Sequence, residues 1–364
     1  MERIRLFLKD LMTQESISGY EGKVVKVFCN HAKKVSDDVY VDRIGNAICK
    51  VKGTQNEDPH KVMIFAHLDS LGLVVSKVNE QGFIYVDRLG GIPEKVLPGL
   101  RVSIRTLDDK YLPGIIAVKS HHATSTEEKY KVDKVTDLYI DVGASCKEDV
   151  IRSGIRVGCP LVYEPRYEEL LGNRISGTFV DNRAGCACLL RILDLIDMQK
   201  PGVDTYIVGS AFEEFNLRGA MMAAREIKPD FAICIDVTLA GDTPETLKRF
   251  TGDLGKGPVV SLYNFHGRGT LNGFIAHESL YKLAIQCAEK TNIPLQEFAS
   301  TGVLSDSSYV QFENGYTACL DMGYPARYTH SPVEMCDLND LELLSKLIHN
   351  MLLNIDDNLK TSRF

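Results

Sequence analysis

The chain opens in helical rhythm. Residues 1–35 interleave apolar and charged positions from Met1-Glu-Arg-Ile-Arg-Leu-Phe-Leu-Lys-Asp10 onward, which predicts amphipathic helix with a break at Ser18-Gly19-Tyr20. Residues 39–51 alternate around Gly45-Asn46, the signal of a hairpin. Lys61-Val-Met-Ile-Phe-Ala66 is continuously apolar after its first residue, as a buried strand would be, and it runs directly into His67 and Asp69. Between residues 70 and 164 the pattern changes to short alternating runs such as 82–87 and 100–105. Gly90-Gly91, Pro98-Gly99 and Pro113-Gly114 punctuate them, and no long helical period occurs, so a small β-domain or barrel is expected.

From about residue 165 strands and helices alternate. The pattern predicts helices over 184–198, 217–227, 277–291 and 338–355, and strands over 205–212, 231–237 and 316–322. Such alternation builds an α/β layer structure whose strands are covered on both faces. The simplest organisation is one α/β domain formed by residues 1–69 and 165–364, with a β-rich domain inserted at 70–164.

Charge and cysteine usage narrow the setting. Net charge is −7, from 49 acidic against 42 basic residues, which argues against a sequence-independent grip on nucleic acid. The N-terminus has no continuous apolar core of the kind a secretory signal carries, and no apolar run approaches the roughly 18 residues of a membrane span. Ten cysteines are scattered without a C-x-x-C, and Cys186 and Cys188 sit inside an apolar stretch. Reduced, buried thiols in a cytoplasmic protein are expected.

The candidate chemistry lies where the strands should end. His67 with Asp69, Asp181, Glu213 with Glu214, Asp236, and His330 all fall there or in neighbouring turns. Loops at the carboxyl ends of strands are where open α/β sheets bind ligands. Singly, each has a plainer reading: a lone histidine is usually no ligand, a Glu-Glu pair is usually a solvated helix surface, and Asp236 could be a strand-end turn residue. His121-His122 lies in a polar loop and reads as surface. Together, imidazoles and carboxylates are the donors that zinc and related divalent ions take. Two such ions need a shared carboxylate, and hydrolysis needs one further carboxylate that moves a proton. Adjacent glutamates at 213 and 214 could divide the roles of ligand and base, since neighbouring side chains leave the backbone in different directions.

At these residues the chain resembles the TET-type dinuclear-metal aminopeptidases, the glutamyl, leucyl and lysyl aminopeptidases that often form tetrahedral dodecamers. The resemblance is carried in order by Ala66-His-Leu-Asp-Ser-Leu-Gly72, Val180-Asp-Asn-Arg-Ala-Gly185, Phe212-Glu-Glu-Phe-Asn-Leu-Arg-Gly-Ala220, Asp236-Val-Thr-Leu-Ala-Gly-Asp-Thr-Pro244 and Tyr328-Thr-His-Ser-Pro-Val-Glu-Met335. It implies a zinc-peptidase-like three-layer α/β catalytic domain with an inserted PDZ-like β-rich domain used for dimer contacts. It also implies two divalent ions per subunit, zinc first and cobalt or manganese as alternatives. His67, Asp181 and Asp236 would hold one, and Asp181, Glu214 and His330 the other. Glu213 would be the general base, Asp69 would orient His67, and Asp306 matches a family aspartate near the site. Peptides would be the substrates and the chain itself the partner, in homodimers or a dodecamer.

Three positions depart from the family pattern: Asn182 for a second aspartate, Phe215-Asn216 for Val-Gly, and Leu304-Ser305 for Gly-Thr. None removes a ligand, though each can reshape the pocket. The rivals are a deacylase, dipeptidase or carboxypeptidase on the same centre, or a non-catalytic assembly protein stabilised by metal. A carboxypeptidase needs a cation for the substrate carboxylate, with Arg183, Arg218 and Arg327 as candidates and the first two better suited to structural pairing. H-E-x-x-H, G-x-S-x-G, P-loop and G-x-G-x-x-G signatures are all missing.

Overall fold

Alternation within the buried strands decides the layering. In the strand Lys61–His67, Val62, Ile64 and Ala66 pack into one apolar core while Met63 and Phe65 pack into another. The first core is closed by the helices Glu2–Met12, Gly22–Ala32, Val180–Met198, Glu278–Thr291 and Leu338–Asn354. The second is closed mainly by Gly219–Ile227 and Ser307–Val310. The computed structural model describes residues 1–55, 58–247, 249–267 and 269–364.

Between these helical layers lies a nine-stranded sheet. Its order is Val39–Val41, Ala47–Val51, Asp204–Ser210, Lys61–His67, Phe231–Leu239, Ala318–Ala326, Val259–Phe265 and Gly273–Ile275, with Gln296–Thr301 also paired to Val259–Phe265. The central four strands are parallel. Ser210 stands opposite His67 and Asp236 opposite Gly323, so these strands deliver their carboxyl ends to one edge. Six short strands from Gly72–Val78 to Pro160–Tyr163 close into a separate barrel with its own core, which Ile17 and Phe179 also join.

Several elements differ from expectation. The strand expected over 205–212 stops at Ser210, because Phe212 turns into the left-handed region at φ 59°. Leu217 does the same at φ 57°, so the next helix begins at Gly219 rather than 217. Between them Glu213–Asn216 forms a single helical turn that the periodicity did not announce. Also unforeseen are the outer strands Val259–Phe265, Gly273–Ile275 and Gln296–Thr301, and a small sheet of Tyr167–Glu169, Arg174–Gly177 and Glu334–Asp337. These are short pieces, several half exposed, whose pairing is non-local and leaves little pattern in sequence.

The loop from 211 to 219 is clamped from the hairpin. Asp42 accepts the backbone N–H groups of Ile44, Gly45 and Asn46 and so shapes the turn. Fully buried Asn46 then accepts from Ala211 N at 2.9 Å and donates to Gly219 O at 2.9 Å. Asn46→Ala leaves the Ala211 N–H buried and unpaired, at a cost of about 1–3 kcal/mol, and also removes the donor to Gly219 O. Chemical denaturation should therefore show a loss of at least that size, and an unchanged midpoint would contradict the clamp.

Candidate metal centre

Each imidazole is aimed by a main-chain carbonyl. His67 Nδ1 lies 3.1 Å from the carbonyl oxygen of Asp69 and His330 Nδ1 lies 2.7 Å from that of Gly91. With Nδ1–H donating, Nε2 of each ring presents its lone pair to the centre. Gly91 follows a barrel strand, so the insertion itself positions His330.

The carboxylates converge on those two nitrogens. Asp181 Oδ1 is 3.1 Å from His67 Nε2, and its Oδ2 is 3.6 Å from His330 Nε2. Glu213 and Asp236 each bring an oxygen to 3.8 Å from His67 Nε2, while Glu214 lies 3.9 Å from His330 Nε2. Two groups of candidate ligand atoms result, each within a 4.8 Å span: His67 with Glu213 and Asp236, and Asp181 with Glu214 and His330. The first contains Glu213 where the resemblance implied Asp181. Asp181, however, turns one oxygen toward each histidine. Two imidazoles and an excess of carboxylate oxygens are the donor set expected for a pair of divalent ions.

Asp69 serves the site through two different groups. Its carbonyl, not its carboxylate, makes the hydrogen bond to His67, the nearer carboxylate oxygen being 3.7 Å away. The carboxylate accepts from Ser18 Oγ and from the backbone N–H groups of Glu213 and Glu214, the latter at 3.0 and 3.1 Å. It thus caps the short turn bearing both glutamates. Phe212 and Leu217, left-handed without being glycine, bracket that turn at a cost on the order of 1–3 kcal/mol each.

Three further residues hold the candidate ligands; Glu334 and Tyr324 were not singled out from sequence, and Asn182 was noted only as a departure from the family pattern. Buried Glu334 accepts from Asp181 N at 3.0 Å and His330 N at 2.6 Å. Buried Tyr324 donates to Val180 O and to Asn182 Oδ1, both at 2.9 Å. Asn182 also accepts from Gly185 N and donates to Ile235 O and Asp236 Oδ1, the last at 3.1 Å. An amide rather than an acid therefore faces Asp236. Asn182 and Glu334 lie in two of the blocks that carry the resemblance, and Tyr324 lies in none of them. Asp306 is buried beneath the centre, with Oδ2 accepting from Ser210 Oγ at 3.2 Å.

In front of the centre opens a cavity of about 700 Å³. Phe215, 60% exposed, lies on its wall with Asn216, Leu239, Leu304 and Tyr309. Arg218, expected as a structural partner, also lines the cavity and stacks over the Tyr309 ring at 3.9 Å. Arg327 is engaged by Asp242 and Arg183 is fully buried over Phe179. His121 and His122 are exposed on the barrel side and belong to neither ligand group.

Packing so many acids together perturbs their titration. Burial pushes Glu213 and Asp236 well above the usual carboxylate range, and Glu214 and Asp306 up to about 7. For Asp181 burial works in the same direction, but the His67 hydrogen bond prevails and lowers it. Burial pulls both histidines down, yet the facing carboxylates win, raising His67 well above its ordinary value and His330 to about 9. Bound cations would relieve this crowding of negative charge.

Comparison with known proteins gives a consistent picture. The M42 glutamyl aminopeptidase family matches residues 45–347. SgcX of Escherichia coli (strain K12), for which aminopeptidase activity is itself a proposal, is 36% identical over 336 residues, covering 92% of this chain and 89% of its own. Aminopeptidase APDkam598 from the archaeon Desulfurococcus kamchatkensis has a TM-score of 0.90 at 35% identity, covering 97% of this chain and 95% of its own. The TET1 peptidase of Pyrococcus horikoshii, which can assemble into a tetrahedron or a large octahedral shell, has a TM-score of 0.84 at 29% identity, covering 97% and 100%. The fold is that of the TET aminopeptidases.

The titration shifts set a sign. Raised acids and raised histidines both mean that the folded, metal-free chain binds more protons than the unfolded one; lowered Asp181 opposes them singly. Stability of metal-stripped protein should then fall as pH rises, first across the carboxylate window and then up to the His330 value of about 9. Metal binding displaces those protons, so the gap in thermal midpoint between metal-loaded and chelator-treated protein should widen from about pH 5 to about pH 9. A metal-free midpoint that rises over that range would contradict the assignment.

Proposed function

We propose, for a chain that the match over residues 45–347 shows to belong to the M42 glutamyl aminopeptidase family, a division of labour within its metal-dependent peptidase centre. His67, Asp181 and Asp236 hold one divalent ion, and Asp181, Glu214 and His330 hold the other. The observation that carries this reading is Asp181, whose two oxygens face different imidazoles at 3.1 and 3.6 Å. A pair of ions so held would supply Lewis acidity toward a scissile carbonyl and make water a better acid.

Glu213 then remains for proton transfer. Its carboxylate takes the proton of the attacking water and hands it to the departing amine, and burial favours its protonated form between the two events. Asp69 sets the direction of that carboxylate by holding the amides of Glu213 and Glu214. Peptides are the substrates, losing their N-terminal residue. Zinc is the first choice of ion, with cobalt or manganese as alternatives.

The setting follows the same reasoning. All ten cysteines are free and nine of them are buried, which suits a reducing cytoplasm. Among the described residues no helix is long and apolar enough to cross a membrane, and the acidic balance gives nucleic acid no basic face. We place homodimer contacts on the barrel of residues 70–164, with dimers building toward a dodecamer; the Pyrococcus horikoshii relative, which can assemble into a tetrahedron, supports self-assembly.

Glu213→Gln separates base from ligand. Turnover of an aminoacyl substrate should fall by roughly 10²–10⁴-fold while two metals per chain are retained by elemental analysis. A fall to one metal would make Glu213 a ligand, as its proximity to His67 and Asp236 allows. A panel of free and N-blocked aminoacyl amides, run with zinc, cobalt and manganese, should show cleavage of the free amines alone; turnover confined to blocked substrates would overturn the aminopeptidase assignment.

A further inference from the structure

Behind Asp236 lies a second, smaller cavity of about 40 Å³, between the strands Phe231–Leu239, Val259–Phe265 and Ala318–Ala326. Thr238, Ser261, Asn264, Ser305 and Asp321 give its wall an oxygen-rich character. Three of those oxygens, Asp321 Oδ1, Asn264 Oδ1 and Thr238 Oγ1, are buried without a hydrogen-bond partner, on side chains only 4–6% exposed. The partners of Asp321 Oδ2 explain the arrangement. Asn264 Nδ2 donates to it at 2.9 Å and Ser305 Oγ at 2.6 Å, which fixes carboxylate and amide beside the cavity they line and leaves one oxygen of each without a partner.

Asp321 is in no ion pair among the described residues, its hydrogen bonds coming only from neutral groups. A buried carboxylate without a compensating cation is costly. Water in the cavity would satisfy the free oxygens but leave the charge. We propose that this cavity is a binding site for a small monovalent cation, held by oxygens of Asp321, Asn264, Thr238 and Ser261. An all-oxygen donor set is the preference of hard cations. The space admits an ion with one or two waters, each needing about 10–15 Å³ of such volume. Only one carboxylate lining it is outside the metal centre, which matches a single positive charge. Asp236, Val237, Val303 and Leu304 line both cavities, so the ion would brace the wall against which the catalytic centre is built.

The test uses metal-loaded full-length protein at constant ionic strength in potassium, sodium or tetramethylammonium chloride, the last ion being too bulky for the cavity. One alkali chloride should raise the thermal midpoint saturably over the tetramethylammonium value, and Asp321→Asn should abolish that rise. Thr238→Val removes one ligand without changing charge, and should shift the half-saturating concentration several-fold upward even if Asp321→Asn fails to fold. Crystals soaked in thallous acetate should show an anomalous peak between Asp321 and Asn264. Equal midpoints in all three salts, a half-saturating concentration unchanged by Thr238→Val, or density there without anomalous signal would each overturn the proposal.

Discussion

Buried negative charge is the constraint under which this protein is built. Asp181, Glu213, Glu214, Asp236 and Asp306 crowd around two imidazoles at one edge of the sheet. In water these acids would be ionised and apart; here burial drives four of the five toward their protonated forms. Such a cluster does not fold for its own stability, because unpaired buried carboxylates oppose folding. It persists where cations complete it, and the apolar layers above and below the sheet must supply the free energy that assembles it beforehand. The two large cores on either side of the strand Lys61–His67 are therefore part of the chemistry, since they hold the acids close.

Holding them close requires precision, and the protein obtains it from neutral groups and main chain. Asn46 grips both ends of the segment carrying the glutamates, and Asp69 caps it. Glu334 ties the backbones of Asp181 and His330 together, and Asn182 aligns Asp236. These clamps come from the hairpin, the carboxyl end of a central strand, the small outer sheet and a helix start. Gly91 adds one from the barrel, so the insertion is bound into the centre by the His330 ring as well as by its shared core. Motion of the barrel relative to the sheet would be felt first at His330.

The helical and central-strand layout was legible because its elements are long and periodic, and each ligand sits beside a strand end or a sharp turn. The candidate residues converge as one site for the same reason: parallel strands end on one edge. What stayed hidden was set by single torsions and by distant partners. Nothing in Phe212 or Leu217 announces a left-handed backbone, and the turn they bracket is capped by Asp69, far away in sequence. Asn46 looks like hairpin punctuation, and only its contacts to Ala211 and Gly219 reveal the clamp. Asp69 was noticed beside His67, but only the contacts show that its carbonyl meets the imidazole while its carboxylate holds the glutamate turn.

The departures from the family pattern are not scattered in space. Asn182 places an amide donor on Asp236 where a second acid would add charge or demand a proton. Ser305 donates to Asp321, whose strand neighbours the one bearing Asp236. Both substitutions thus act on the same side of the centre, behind the ligand Asp236, while Phe215 and Asn216 act on its open side. The first pair makes neutral contacts behind the candidate ligand Asp236, and the second lines the cavity in front of it.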